Sequence, residues 1–164
     1  MCGIIALSAR PTSRSTPRGA DILARLDAAV ACGHDIVAAT AHLATVNDLL
    51  KGVPGVMALA DNLELMAGIE ARLARLDETI AVADVALESA DLDPEGLEVA
   101  AARLIAARDV VWSIGRDRLR TARLVAELAG RDAGVAALSG YLMIQQAFAA
   151  IDRMEVRGRD SAGI

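Results

Sequence analysis

Aromatic residues are almost missing from this chain: among 164 residues only Trp112, Tyr141 and Phe148 carry an aromatic ring. Strand-built cores depend on bulky aromatic and β-branched side chains, so this scarcity, set beside abundant alanine, favours thin, closely packed helices. Cysteine is nearly as rare. Cys2 and Cys32 cannot make a disulfide framework, and they point to a reducing compartment. Lys/Arg clusters interleaved with aromatics are absent, and 17 basic residues stand against 22 acidic ones for a net charge of −5, which argues against nucleic acid as a partner. Long apolar runs are lacking too. The run after Cys2 stops at Ser8, and the segment from Val135 to Ile151 is interrupted by Gln145 and Gln146, so no membrane span is expected. The opening lacks the basic-then-apolar layout of a secretory signal. Cys32 and His34 in "ACGHD", with His42 beyond, have no second pair at metal-ligand spacing and read as helix residues. What is present, 54% hydrophobic residues over a domain-sized length, excludes a disordered chain. The expectation is a soluble, cytoplasmic protein without metal or cofactor.

Along the chain, Gly3 to Leu7 is a short aliphatic run that reads as a buried strand, and "SARPTSRSTPRGAD" reads as an exposed linker. Ile22, Leu26, Ala29, Gly33, Ile36, Thr40, Leu43, Asn47 and Leu50 then alternate in spacings of four and three, which predicts one long helix running through Gly33. "KGVPGV" breaks it. Asp61 and Glu64 form a candidate capping pair for the next helix, in which Met66, Ile69, Leu73, Leu76, Ile80, Ala83 and Leu87 repeat as three and four without a miss. Asp93 and Pro94 restart the chain as cap and first turn of a third helix reaching Leu128 or Ala129, where Gly130 stops it. Its inward residues are expected at Leu97, Ala101, Leu104, Val111, Ile114, Ala122 and Val125, with Trp112 also packed. A fourth helix is predicted from Val135 through Met154. Short breaks between long helices make residues 19–130 a helical hairpin bundle.

The two ends carry the chemistry. "MCGIIA" and "RGRDSAGI" resemble the two earliest motifs of the class II glutamine amidotransferases, whose catalytic domain has the N-terminal-nucleophile hydrolase fold. Cys2, Gly3 and Ile4 match the first motif; Arg157, Gly158, Asp160, Ser161, Ala162 and Gly163 match the second. With Met1 removed, the Cys2 thiol and the α-amine belong to one residue, so nucleophile and base are held together by covalent geometry. An α-amine titrates at about 7.7 to 8.0 and can accept the thiol proton near neutrality without a histidine. The resemblance implies that Cys2 attacks the side-chain amide of glutamine, releases ammonia and passes through a glutamyl thioester. Gly3 would permit a tight turn beside the nucleophile. Arg157 and Asp160 read by themselves as a helix-terminal cation and a turn-forming carboxylate; the resemblance gives them, with Gly158 and Ser161, the role of bracing the turn next to Cys2. "MEVRGRDSAGI" is most similar to the run found in glutamine–fructose-6-phosphate aminotransferases (isomerizing), with Glu155 matching and Val156 and Arg159 departing. The amidophosphoribosyltransferases are the second choice.

The chain departs from the family in two ways. Family motifs are separated by a short connection and one helix, whereas here Ile4 and Arg157 bracket a long helical stretch. The expected fold is therefore mainly α: residues 1–10 supply the first strand of the amidotransferase domain, residues 11–134 a helical hairpin bundle inserted between that strand and the first helix, and residues 135–164 the helix and turn of an incomplete α+β domain. In addition, the family's oxyanion hole uses an Asn-Gly pair, and here neither Asn47 nor Asn62 precedes glycine. The chain is expected to be an N-terminal fragment, inactive alone, of an enzyme that supplies glutamine-derived ammonia to a sugar phosphate held in further domains, with a homodimer as a candidate assembly. The reading from a different class is a non-catalytic helical interaction module whose seam from Met66 to Leu87 faces a partner.

Overall fold

The structure is a computed structural model and describes residues 6–8 and 12–155. Its elements are helices α1 (Gly19–Ala31), α2 (Ile36–Leu49), α3 (Gly52–Leu59), α4 (Leu63–Glu88) and α5 (Pro94–Trp112), a π-helical segment (Ser113–Arg120), then α6 (Thr121–Ala129) and α7 (Val135–Glu155). The mainly helical expectation holds, and no strand occurs among the described residues. Of the strand expected over Gly3 to Leu7, Gly3 to Ile5 lie outside the described residues. Ala6 and Leu7 are irregular chain, with Leu7 41% exposed rather than buried, since an extended segment gains its ladder hydrogen bonds only beside another strand.

The long helix expected through Gly33 is two helices. The backbone of Gly33 is left-handed at φ +55°, its amide closes on the Val30 carbonyl, and Asp35 starts α2 by accepting from the Ala38 amide at 3.0 Å. Glycine takes that conformation without a Cβ penalty, and aspartate is a favoured cap. Next comes "KGVPGV", which ends α2 as expected yet forms the short helix α3. Pro54 sits in its first turn, where a missing N–H costs nothing. Gly55 is required there by contact, because a Cβ would stand 2.0 Å from the Leu50 carbonyl oxygen. α4 is capped by Asn62 rather than Asp61: the Asn62 Oδ1 accepts from the Leu65 amide at 3.0 Å. At the following break Asp93 accepts from the Gly96 amide at 2.8 Å and Pro94 opens α5, both as expected.

Helices α1, α2, α5 and α4 pack in that order around one core. Contacts fix the directions. Gly19 meets Leu65, Gly68 meets Leu23 and Asp27 pairs with Arg72, so α1 and α4 run parallel. Asp84 pairs with Arg108 and Glu70 with Arg123, so α4 runs antiparallel to α5 and its continuation. Inside lie Ile22, Leu26, Leu43, Val46, Met66, Ile69, Leu73, Leu76 and Ile80, and no polar side chain among the described residues is buried. The seam from Met66 to Leu87 therefore faces inward, which withdraws the feature that motivated the interaction-module reading.

In the third predicted helix, Leu104, Val111, Ile114, Ala122 and Val125 are buried as expected, but Leu97 and Trp112 are exposed, Trp112 by 56%. Between Ile114 and the next buried residue, Leu119, the spacing is five. A π-helical turn absorbs that step: each extra residue per turn rotates the inward face, so Leu119 turns to the core. Gly130, at φ +77°, ends α6 as predicted. A second, smaller apolar cluster joins α3, α6 and α7 through Val56, Val125, Leu138 and Leu142.

Candidate functional site

Cys2, Gly3, Arg157, Gly158, Asp160 and Ser161 lie outside the described residues. What the structure does give is the framework from which the two motif-bearing ends depart. Arg14, in the linker, donates from Nη1 to the Asp48 carbonyl at 2.8 Å and from Nη2 to the Lys51 carbonyl. The Asp48 carbonyl lies in the last turn of α2, where a cation complements both the unsatisfied oxygens and the helix dipole, and Lys51 is the cap of α3. Two residues on, the Thr16 hydroxyl reaches the Met57 sulfur of α3 at 3.8 Å. α7, which leads toward the second motif, packs on that same α3. The linker and α7 thus both lie against α3.

Two faces of α7 are apolar. Leu138, Leu142, Gln145 and Ala149 follow one stripe, and its leucines are buried against α3 and α6. A quarter turn away Ala137, Tyr141, Ile144, Phe148 and Ile151 repeat at four, three, four and three. Ile144 and Phe148 on this second stripe are 45% and 41% exposed. Two of the chain's three aromatic residues sit there.

A cleft of about 250 Å³ opens where α7 faces the α2–α3 junction and the π-helical segment. Leu50, Val56 and Leu142 give it an apolar floor, and Asp117, Arg118, Thr121, Gln145 and Gln146 give it a polar wall. Behind the wall, Arg118 Nε donates to the Asn47 Oδ1 at 2.9 Å, and the Ser113 hydroxyl donates to the same oxygen at 3.4 Å. Asp48 completes the surroundings. A hydrogen bond from Lys51, opposed by desolvation and reinforced by the charges of Lys51, Arg118 and Arg14, holds its carboxyl below the ordinary range. None of these residues is singled out by a sequence motif. The available signals were breaks in pattern: Asn47 inside the α2 seam, the five-residue step after Ile114, and the glutamine pair that interrupts the apolar run of α7.

Elsewhere the arrangement is simpler. Cys32 is half-buried and its thiol donates to the Ala28 carbonyl at 3.2 Å, while His34 is exposed. No three His, Cys, Asp or Glu side chains among the described residues are grouped to hold a metal ion. No helix among them is long and apolar enough to cross a membrane. A second cavity of about 360 Å³, mostly apolar, lies at the opposite end of the bundle between the start of α2 and the α4–α5 turn. Comparison with protein-family models, with curated proteins and with solved structures finds no match to the chain.

Proposed function

We propose that these residues open a class II glutamine amidotransferase, with Cys2 as the nucleophile that hydrolyses glutamine and α1 to α6 as a helical insertion in the catalytic domain. The observation that carries this reading, beyond the motifs themselves, is the second apolar stripe of α7. A helix with one apolar face is fully served by the α3–α6 contact; a helix with two needs a second layer. The sheet of an N-terminal-nucleophile domain is such a layer, and α7 leads directly toward the Arg157–Gly163 motif. Support also comes from the shared seat of the linker and α7 on α3, since an insertion is tolerated when the segments flanking it can return to the same host domain.

In this reading the α-amine freed by loss of Met1 takes the Cys2 proton, the thiolate adds to the glutamine amide carbon, and ammonia leaves as the thioester forms. Water then releases glutamate. Arg157 and Asp160, with Gly158 and Ser161, brace the turn beside the nucleophile. The oxyanion-hole Asn-Gly of the family is not among these residues, since Asn47 precedes Asp48 and Asn62 precedes Leu63. Losing one oxyanion donor costs about 10²–10³ in rate, so the 164 residues alone are expected not to turn over glutamine. The motif run favours fructose 6-phosphate as the ammonia acceptor in the complete enzyme.

The test uses the complete gene product. Intact mass should show Met1 removed, and Cys2→Ser should abolish most glutamine hydrolysis while leaving ammonia-driven synthesis in place, because a hydroxyl is far less ionised than a thiol beside the same base. Full glutaminase activity with Met1 retained, or undiminished activity in Cys2→Ser, would overturn the assignment.

A further inference from the structure

The outer side of the bundle carries a pattern that its core does not use. Ile105 and Trp112, seven residues apart on α5, are each 56% exposed, and Trp112 is the chain's single tryptophan. Ala101 and Arg108 complete their stripe at spacings of four, three and four, so all four share one face of the helix. On α4, Asp77, Ala81, Asp84 and Glu88 repeat at the same spacings. The ion pair of Asp84 with Arg108, at 2.7 Å, sets the two stripes side by side. Scattered exposed apolar side chains are ordinary on a protein surface. These are aligned along one helix and lie beside a stripe rich in carboxylates.

Charge decides what covers this face. From Leu76 to Ala102 the chain holds eight acidic residues and no Lys, Arg or His, so this stretch alone is more negative than the whole chain at −5. Arg108, the cation on the two stripes, is occupied by Asp84. Asp77 and Glu88, and Glu98 seven residues before Ile105, are exposed and have no side-chain hydrogen bond or ion pair among the described residues. A second copy of the chain would bring like charges together, which opposes association. Nucleic acid and anionic membranes are repelled in the same way. What fits is a helix with an apolar seam for Ile105 and Trp112 and with Lys or Arg along its flanks for the carboxylates. In such contacts an apolar anchor, tryptophan above all, supplies affinity, and rim charges select the partner.

We propose that the outer face shared by α4 and α5, with Ile105 and Trp112 as anchors, docks a basic amphipathic helix of a partner protein. The surface uses none of the residues of the two terminal motifs and does not depend on the amidotransferase reading.

Trp112 itself reports the test. Tryptophan-free synthetic helices are titrated into the 164-residue chain: one with a leucine seam and lysine flanks, one with the same seam and glutamate flanks, and one with lysine flanks and a serine seam. The first is expected to shift the Trp112 emission to the blue saturably, and the other two to bind at least about tenfold more weakly. Anisotropy of the labelled first peptide then reads the variants. Ile105→Ser should weaken binding about tenfold, and Asp77→Asn with Glu88→Gln severalfold. Asp61→Asn with Glu64→Gln removes the same charge at the N-terminal end of α4 and should leave binding unchanged. All these positions are exposed, so the circular dichroism spectrum of the parent should be kept. The proposal is overturned if no peptide binds, if either control peptide binds as well as the first, or if Ile105→Ser binds undiminished. It is overturned equally if the remote charge variant loses as much as the Asp77 and Glu88 variant, or if Trp112 emission shifts with protein concentration alone, which would assign the face to a second copy.

Discussion

The four-helix bundle and the α3–α6–α7 layer are made from the same alanine-rich sequence, yet they differ in nearly every physical respect. In the bundle, one core reaches from Ile22 through Ile80 to Val111, glycines such as Gly68 let α1 and α4 approach, and ion pairs such as Asp27–Arg72 lie on the rim. The other layer shares four buried side chains, Val56, Val125, Leu138 and Leu142, of which only Val125 is fully shielded, and it borders a cleft with a polar wall. One region gives its interior to packing alone. In the other, polar side chains line an open cleft and an apolar stripe of α7 is left partly exposed.

The sharpest way to separate the regions is to remove one large side chain from each. Ile69→Ala is expected to cost about 4 kcal/mol, because Ile69 is fully buried between several helices that cannot all collapse onto the void. Leu142→Ala should cost about 2 kcal/mol, its site being shallower and open to the cleft. Urea unfolding of both variants checks this; equal losses would mean that the two regions unfold as one unit of uniform packing.

An effect no larger than that of Leu142→Ala is expected at the joint between them. Gly55→Ala must move α3 away from the Leu50 carbonyl, at a cost of about 2 kcal/mol after the usual helix-propensity gain of alanine. Because α3 also holds α7, near-ultraviolet dichroism from Tyr141 should change while far-ultraviolet dichroism does not. A variant as stable as the parent would show that α3 does not sit so close to α2 in solution.

The smallest effect concerns acid. Hydrogen bonds from Arg72 and Lys51 lower the Asp27 and Asp48 carboxyls, one in the bundle and one at the joint. A carboxyl lowered on folding contributes stability that is fully present above its unfolded value, about 3.9, and is lost as pH falls through the folded value. Thermal melts of Asp27→Asn and Asp48→Asn should lie below the parent at pH 6 and converge with it toward pH 3, by small margins because both pairs are exposed. An unchanged gap across that range would mean that charge pairing is not what the substitutions remove.

How legible each region is in sequence follows the same division. The α4 seam reads directly, since seven apolar residues at strict spacing leave one face to bury, and Asp93–Pro94 announces α5. The α1–α2 break is hidden: the turn at Cys32–Asp35 is as long as one helical turn, so the apolar spacing passes through Gly33 undisturbed. In the π-helical segment a regular four-residue step would have placed Arg118 inward, and only the tertiary fit reveals that Leu119 takes that place. The cleft was visible merely as interruptions. Gln145 and Gln146 argue against a membrane span in sequence, and their convergence with Asp117 and Arg118 is a product of how α7 lies across the bundle. Nothing short of the fold brings them together.

The Arg14 clasp on the end of α2 also bears on how the chain is made. In the bundle α1 forms with α2 and α4 with α5, neighbours in sequence, so most contacts are local and formation is fast. With Arg14 fastened beside α3 and α7 lying on α3, the linker and the last helix share one short helix as their seat. A flexible loop of the same length would oppose its own closure by an entropy that grows with the logarithm of its length. The packed helices have already met that cost locally, so the linker and α7 are held against the same short helix without it.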